Sequence, residues 1–308
     1  MTEARVSVLI VNFNSTDLLR DCLNAVFASN YADELEVIVV DNASEDFSLA
    51  ALEIEFPTVE WLPQRVNTTC TGGNNLALRQ ASGDMILMLN PDTKVESRAI
   101  ANAVRHLTES PDLVAVGAYL VDSTGRLQRG YYRRLPTFLD IPILLFEPLF
   151  RTTRRGRRFL MTDEALEGET TVDHAAGAFL LMRRAALKEW LMEPGYFNLL
   201  SDLDLSRRLA TVGRVAVFND VRCYHLGGGG GMGTDDSIRR LRFHHDFTWG
   251  LRRYFRPELN AVQRAGLEMG LALYWTVRAT RVLLTRPKHF PRAIAVAFDA
   301  LSGRAPHY

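Results

Sequence analysis

Lysine is nearly missing from this chain of 308 residues: Lys94, Lys188 and Lys288 are the only three, and every other cation is arginine. Net charge is missing too, with 36 basic against 36 acidic residues, so no global field draws the chain to nucleic acid. Any basic patch has to be local. Cysteine is scarce, and Cys22, Cys70 and Cys223 stand too far apart for a zinc pattern or a disulfide framework, which fits a reducing, cytoplasmic setting. No apolar run reaches the length of a membrane span. Strand-like residues begin at Val6 with no basic-then-apolar leader before them, so no signal peptide is predicted. What is present is an ordinary globular composition, 47% hydrophobic and 23% charged, enough for one large α/β domain or a domain with an appendage.

Five apolar residues, Met85–Leu89, read as a buried strand that stops at Asn90-Pro91, because proline has no N–H for the ladder. Asp92 is thereby delivered at the C-terminal lip of a buried strand. Open α/β sheets bind ligands there, and a carboxylate in that place suits a divalent cation carrying a phosphorylated substrate. Upstream, residues 6–11 predict a strand ending at Asn12-Phe13-Asn14-Ser15. A helix follows, with Leu18, Leu19, Cys22, Leu23, Val26 and Phe27 on one face. Residues 35–40 predict a second strand, ending in Asp41-Asn42-Ala43-Ser44, with Ser44 capping the next helix. A short strand over 59–62 leads to a polar loop, 67–75, that opens a helix at Leu76. Asn74 and Asn75, at that helix start, either contact a ligand or cap the helix. Strands alternating with helices predict right-handed βαβ units and a mainly parallel sheet. The turns holding Asn12, Asp41 and Asp92 then converge on one edge, as in a nucleotide pocket.

Four motifs occur in order: Val-Ser-Val-Leu-Ile-Val-Asn-Phe-Asn at 6–14, Val-Val-Asp-Asn-Ala-Ser at 39–44, Asn67 with Gly72-Gly73-Asn74-Asn75, and Leu-Asn-Pro-Asp at 89–92. Together they resemble the family 2 glycosyltransferases, nearest the rhamnosyltransferase-like branch that builds bacterial cell-surface polysaccharides. The resemblance covers roughly residues 5–255. It implies the GT-A fold and an inverting, metal-dependent transfer of a sugar, rhamnose in that branch. The donor would be a nucleoside-diphosphate sugar and the acceptor a glycan or a polyprenyl-diphosphate-linked chain. By resemblance Asp41 sits beside the base and ribose, with Asn12 and Asn14 nearby, and Asn74 and Asn75 reach donor hydroxyls or phosphate. Asp92 holds Mg²⁺ or Mn²⁺ in the place of the last Asp of a D-x-D motif. Asn90 stands where the first Asp often stands; an amide adds no charge, so the metal is held more weakly. Thr69 occupies a position where the family places Gly.

Residues 171–184 resemble the family's small-residue acceptor strand, in which Gly177 and Ala178 leave room for a sugar. Asp173 and His174 either line that pocket or form a structural pair. Ser201-Asp202-Leu203-Asp204-Leu205 resembles the family's Glu-Asp-x-Asp-Leu block, which makes Asp202 the catalytic base, while Asp204 and Arg208 form an ion pair four residues apart. Ser201, which replaces the Glu, is the predicted helix cap. Glu193-Pro194 stands where Asp-Glu is usual. His225 is the second metal ligand by resemblance, and the glycine run 227–231 is a loop that folds over the donor or a plain spacer. These departures motivate the alternative of a non-catalytic nucleotide-sugar-binding or assembly subunit of a polysaccharide machine.

Residues 138–146 are apolar and precede Arg151, Arg154, Arg155, Arg157 and Arg158. This suits peripheral contact with an anionic membrane or a lipid diphosphate, or else a buried segment followed by a solvated loop. A helix over 235–255 is arginine-rich. Residues 259–284 form one long apolar helix whose charges argue against a span. The chain is therefore divided into a catalytic domain, 1–256, with a nucleotide half to about 95 and an acceptor half from 96, and a helical appendage, 257–308. The appendage docks on the catalytic domain, on a second copy in a homo-oligomer, or in the membrane interface.

Overall fold

The computed structural model describes residues 5–227 and 237–306. Its first half runs β1 (Val6–Asn12), α1 (Thr16–Phe27), β2 (Leu35–Asp41), α2 (Leu49–Glu55), β3 (Glu60–Pro63), α3 (Thr69–Gln80), β4 (Met85–Leu89), β5 (Thr93–Val95), α4 (Ala99–Glu109) and β6 (Leu113–Val121). A less regular stretch follows, with β7 (Tyr132–Arg133), α5 (Ile141–Leu145), α6 (Glu147–Phe150), α7 (Arg154–Phe159), β8 (Glu169–Val172), β9 (His174–Ala175) and β10 (Phe179–Arg183). The chain closes with α8 (Ser201–Leu209), β11 (Arg214–His225), α9 (Ser237–Phe255), α10 (Ala261–Thr285) and α11 (Phe290–Leu301).

One sheet organises the fold in the order β3-β2-β1-β4-β10-β6-β11-β5, with β8 also pairing β11. The first four strands are parallel, as the alternating pattern predicts. Helices cover both faces, so β4 is buried throughout as an unbroken apolar run and β1 is buried at all but Val11. β10 enters antiparallel between β4 and β6 and joins the nucleotide half to the rest. β11 is the long element. Its first part lies parallel to β6; an irregularity between Phe218 and Arg222 shifts the register, and its last residues pair with β5, placing His225 opposite Thr93. The sequence reads as two separate pieces there, and the bulge fuses them into one strand.

Two local expectations need correction. α3 begins at Thr69, well before Leu76, so Gly72, Gly73, Asn74 and Asn75 are helical rather than loop. Gly73 is small because α3 crosses β1 closely: a Cβ there would lie 2.7 Å from Val11 Cγ1. Ser44 caps nothing; Ser48 precedes α2, and the Ser44 hydroxyl belongs to the β2 turn described below. Of the two readings of the apolar stretch 138–146, the buried segment describes Ile141, Ile143 and Leu145, while Leu139 is exposed.

Ile141 and Leu145 belong to a second hydrophobic cluster, separate from the sheet core. They join Leu200 and Leu203 of the α8 region, Leu241, Leu251 and Tyr254 of α9, and Leu267, Leu271, Tyr274 and Trp275 of α10. Ala293, Ala297 and Ala300 of α11 complete it. Packing therefore groups α9 with the helices after residue 257. Arg252 of α9 chelates Glu268 of α10 at 2.6–3.0 Å, tying the layer together.

Candidate active site

The turns after β1 and β2 interlock. Asn12 Nδ2 donates to Asp41 Oδ1 at 2.9 Å and to Ser44 Oγ at 3.2 Å, and Ser44 returns its own hydroxyl and backbone N–H to the Asp41 carboxylate. Asn14, at φ 50°, accepts the N–H of Glu45 at its Oδ1. Asn12 and Asp41 are buried, and Asn12 Oδ1 is a buried acceptor with no hydrogen-bond donor among the described residues. The next residue, Asn42, bridges to the start of α3 by accepting from Thr68 and donating to the Thr69 carbonyl.

Thr69 has φ 67°, a left-handed conformation that favours glycine, where the resemblance expects Gly. The first amides of α3 are already taken: Cys70 N–H goes to Asn198 Oδ1 and Thr71 N–H to Phe197 O, both at 2.9 Å. Asn75 holds the backbone of 191–192, accepting from Leu191 and Met192 and donating to the Met192 carbonyl. Asn74 donates to the Cys70 carbonyl, and its Oδ1 is buried without a donor among the described residues. Neither residue caps the helix. Asn75 is spent on its own chain, and Asn74 keeps one acceptor.

At the end of β4, Asn90 is held by its backbone, donating to Ala178 O and accepting from the Thr93 hydroxyl. Asp92 and His225 are both buried, and His225 Nε2 lies 3.4 Å from Asp92 Oδ1. The Leu226 N–H bonds the Asp92 carbonyl, which closes this corner. Gln128 fixes the imidazole. Its Nε2 donates to the His225 carbonyl at 2.9 Å, so its Oε1 must be the atom 3.0 Å from His225 Nδ1 and must accept from it. A neutral His225 then carries its proton on Nδ1 and turns the Nε2 lone pair toward a carboxylate. Two electron-rich atoms facing each other in a buried corner fit a divalent cation held between them, and a ligating histidine anchored through its other nitrogen is the usual outer arrangement. The residues present fit a metal. Among the described residues no group of three His, Cys, Asp or Glu side chains gathers, so substrate oxygens would have to complete the coordination.

Asp202 lies in the first turn of α8. Leu200, at φ 62°, precedes the helix in the cap position expected of Ser201, whose hydroxyl donates to Asn198 O. Asp204 pairs with Arg208 at 3.2 Å, as the spacing predicts, and with Arg207 at 2.8 Å. His174 Nε2 is 3.9 Å from Asp202 Oδ2. Ser206 donates its hydroxyl to the Asp202 carbonyl and so accepts from His174 Nδ1. Burial pushes His174 down to about 4; Asp202 opposes that shift and Arg133 adds to it. The imidazole is therefore neutral near pH 7. Arg133 is itself lowered by burial, with Asp202 and Glu147 opposing.

Asp173 and His174 do not pair. Asp173 turns to Arg134 and the Leu135 N–H, as alternate residues of an extended chain must. Nor does Gly177 leave an open space, because the side chain of Met88 fills the volume a Cβ would take. Ala178 is buried beside Asn90. The segment 128–133, absent from the sequence-derived site, runs past both centres. Gln128 orients His225, Tyr131 sets its ring edge-on to His225 at 4.9 Å, and the buried Arg133 is electrostatically coupled to Asp202. Burial and the nearby Asp92 raise the Tyr131 phenol.

A sequence profile of Glycosyl transferase family 2 matches residues 7–191. The chain is 30% identical over 133 residues to the uncharacterized glycosyltransferase YfnE of Bacillus subtilis, covering 42% of this chain and 33% of that protein. It is 22% identical over 259 residues to the rhamnosyltransferase WbbL of Escherichia coli, covering 82% of this chain and 91% of WbbL. The solved structure of the mannosyltransferase PcManGT from Pyrobaculum calidifontis, in complex with GDP-Man and Mn²⁺, is similar with a TM-score of 0.55 at 19% identity, over 98% of this chain and 88% of that one. That likeness carries the fold, a GT-A sheet with a C-terminal helical segment.

Proposed function

The chain belongs to glycosyl transferase family 2 and is a glycosyltransferase, and on that footing we propose that it is an inverting, metal-dependent enzyme. It would move a sugar from a nucleoside-diphosphate donor to a glycan or lipid-linked acceptor in cell-surface polysaccharide synthesis. The likeness to WbbL supports rhamnose as the sugar, and the GDP-Man and Mn²⁺ bound to PcManGT support a nucleotide sugar and a metal. The observation that carries the reading is the pair of facing groups on either side of the 128–133 segment: Asp92 with the oriented His225, and Asp202 with His174.

In this reading Asn12 and Asp41 receive the nucleoside, with Asn12 Oδ1 as the free acceptor, and Asp92 and His225 hold the cation. A bound divalent cation supplies Lewis-acid stabilisation to the charge that develops on the departing diphosphate. Asp202 accepts the proton of an acceptor hydroxyl as its oxygen bonds to the anomeric carbon. The bond from that carbon to the diphosphate oxygen breaks with its electron pair going to the leaving group, and attack from the opposite face inverts the centre. His174, neutral and anchored on Ser206, turns its Nε2 toward Asp202 and lines that side of the site.

Asp202→Asn is expected to lower turnover by about 10²–10⁴-fold while donor affinity changes by less than about twofold. Asp92→Ala is expected to abolish the Mn²⁺-dependent part of donor binding measured by calorimetry. Nucleoside diphosphate release by the Asp202→Asn protein at the wild-type rate would remove Asp202 as the base.

A further inference from the structure

α10 carries two apolar faces. Leu267, Leu271, Tyr274 and Trp275 fill the second cluster. On the opposite side Val262 (81% exposed), Met269 (71%), Leu273 (56%), Val277 (50%) and Leu284 (77%) point outward. Their spacing of seven, four, four and seven residues keeps them on one stripe of the helix. Thr276, beside the stripe, donates its hydroxyl to the Ala272 carbonyl, which leaves its methyl group as the outer surface. α11 repeats the pattern: Ala293, Ala297 and Ala300 are inside, and Ile294, Phe298 and Leu301 are outside. Single exposed apolar residues need no explanation, but a continuous stripe on a helix whose other side is already packed does.

Charge selects the occupant. From residue 269 to 298 the sequence contains no Asp or Glu, and it carries Arg278, Arg281, Arg286, Lys288 and Arg292. Arg281, Arg286, Lys288 and Arg292 are exposed at the edge and end of the α10 stripe. We propose that the outer face of α10 and α11 seats the protein on an anionic lipid bilayer, lying in the interface with the cations at the level of the headgroups. Among the described residues no helix is long and apolar enough to cross a membrane, so the contact is in-plane. A second copy is the poorer occupant. A two-fold interface would set this carboxylate-free face against itself and oppose like charges. Residues 138–146, the stretch that suggests membrane contact in the sequence, offer only Leu139 as a well-exposed apolar side chain, because Ile141, Ile143 and Leu145 are buried.

Flotation of the full-length protein with vesicles tests this without reference to catalysis, so it stands or falls apart from the transferase reading. The protein is expected to float with phosphatidylcholine–phosphatidylglycerol vesicles and much less with phosphatidylcholine alone. The combined variant Met269→Gln, Leu273→Gln, Val277→Gln should keep the wild-type circular dichroism and melting curve, because the substitutions are on the surface, and should lose flotation. Arg286→Gln, Lys288→Gln, Arg292→Gln should bind anionic vesicles at least about tenfold more weakly and lose the preference for them. Failure of the wild type to float on anionic vesicles overturns the proposal, as does equal flotation by the apolar variant. So does a dimer in light scattering that the apolar variant dissolves while vesicles bind neither protein.

Discussion

A proton on His174 would be buried away from water and beside the Arg133 guanidinium, a cost that Asp202 offsets only in part, and that imbalance has a pH signature. The folded-state pKa, about 4, is below the ordinary value of 6.5. The unfolded chain therefore takes up the proton first as pH falls, so stability is complete above about 6.5 and declines as pH drops toward 4. Thermal melts between pH 7.5 and 4.5 should show the midpoint falling with pH, and His174→Asn should flatten part of that fall. Parallel curves for the two proteins would mean that His174 does not titrate this way. Gln128 makes a second prediction at this scale. Gln128→Met removes the acceptor that fixes the His225 proton, and Mn²⁺ affinity measured by calorimetry should drop about 10–100-fold; unchanged affinity would leave Gln128 without an orienting role. Residues of this kind differ in how legible they are. Asp92, Asp202 and His225 stand in recognisable motifs, and the left-handed Thr69 is visible as a departure from an expected glycine. Gln128 gives no signal, since it meets a histidine 97 residues away only after β6 and β11 have paired.

Helix α3 meets strand β1 at Gly73, and there backbone propensity and packing pull in opposite directions. Alanine in a helix interior is favoured over glycine by about 1 kcal/mol, yet the new methyl group would press on the β-branched, stiff side chain of Val11. Overpacking costs about 1–3 kcal/mol, so Gly73→Ala should be net destabilising, and urea unfolding should show a lower midpoint. A stabilised variant would show that α3 can move away from the sheet. β4 and β6, and most of β1 and β2, are legible because burial on both faces writes them as largely apolar runs. The start of α3 is not, because Thr, Cys, Gly and Asn at 69–75 carry loop chemistry and become helical through contacts at 197–198, more than a hundred residues away. The course of β11 is equally hidden: the strand passes through an irregularity between Phe218 and Arg222 before it reaches His225.

The whole molecule is held together by two apolar clusters, and the second cannot be cut at the boundary the composition suggests. A chain truncated after residue 257 would uncover Leu203, Leu241, Leu251 and Tyr254 together with the buried side of α5. It would also break the Arg252–Glu268 link. The truncated protein is expected to aggregate or to bind a hydrophobic dye, as read by fluorescence and size-exclusion chromatography; a monodisperse, cooperatively melting product would restore an independent catalytic domain. The damage should reach the candidate site, because Asp246 of α9 accepts the N–H groups of Asn198 and Leu199, which lead into the Asp202 helix. Overall neutrality has a further consequence. The five cations of residues 269–298 are balanced by a surplus of five carboxylates over cations in the remaining chain. The protein is thus an electric dipole, with its positive pole at the last two helices and its negative pole in the sheet domain. Near any negatively charged plane it feels a torque before it feels contact, so its approach is oriented: the helices arrive first, and the sheet domain is turned away.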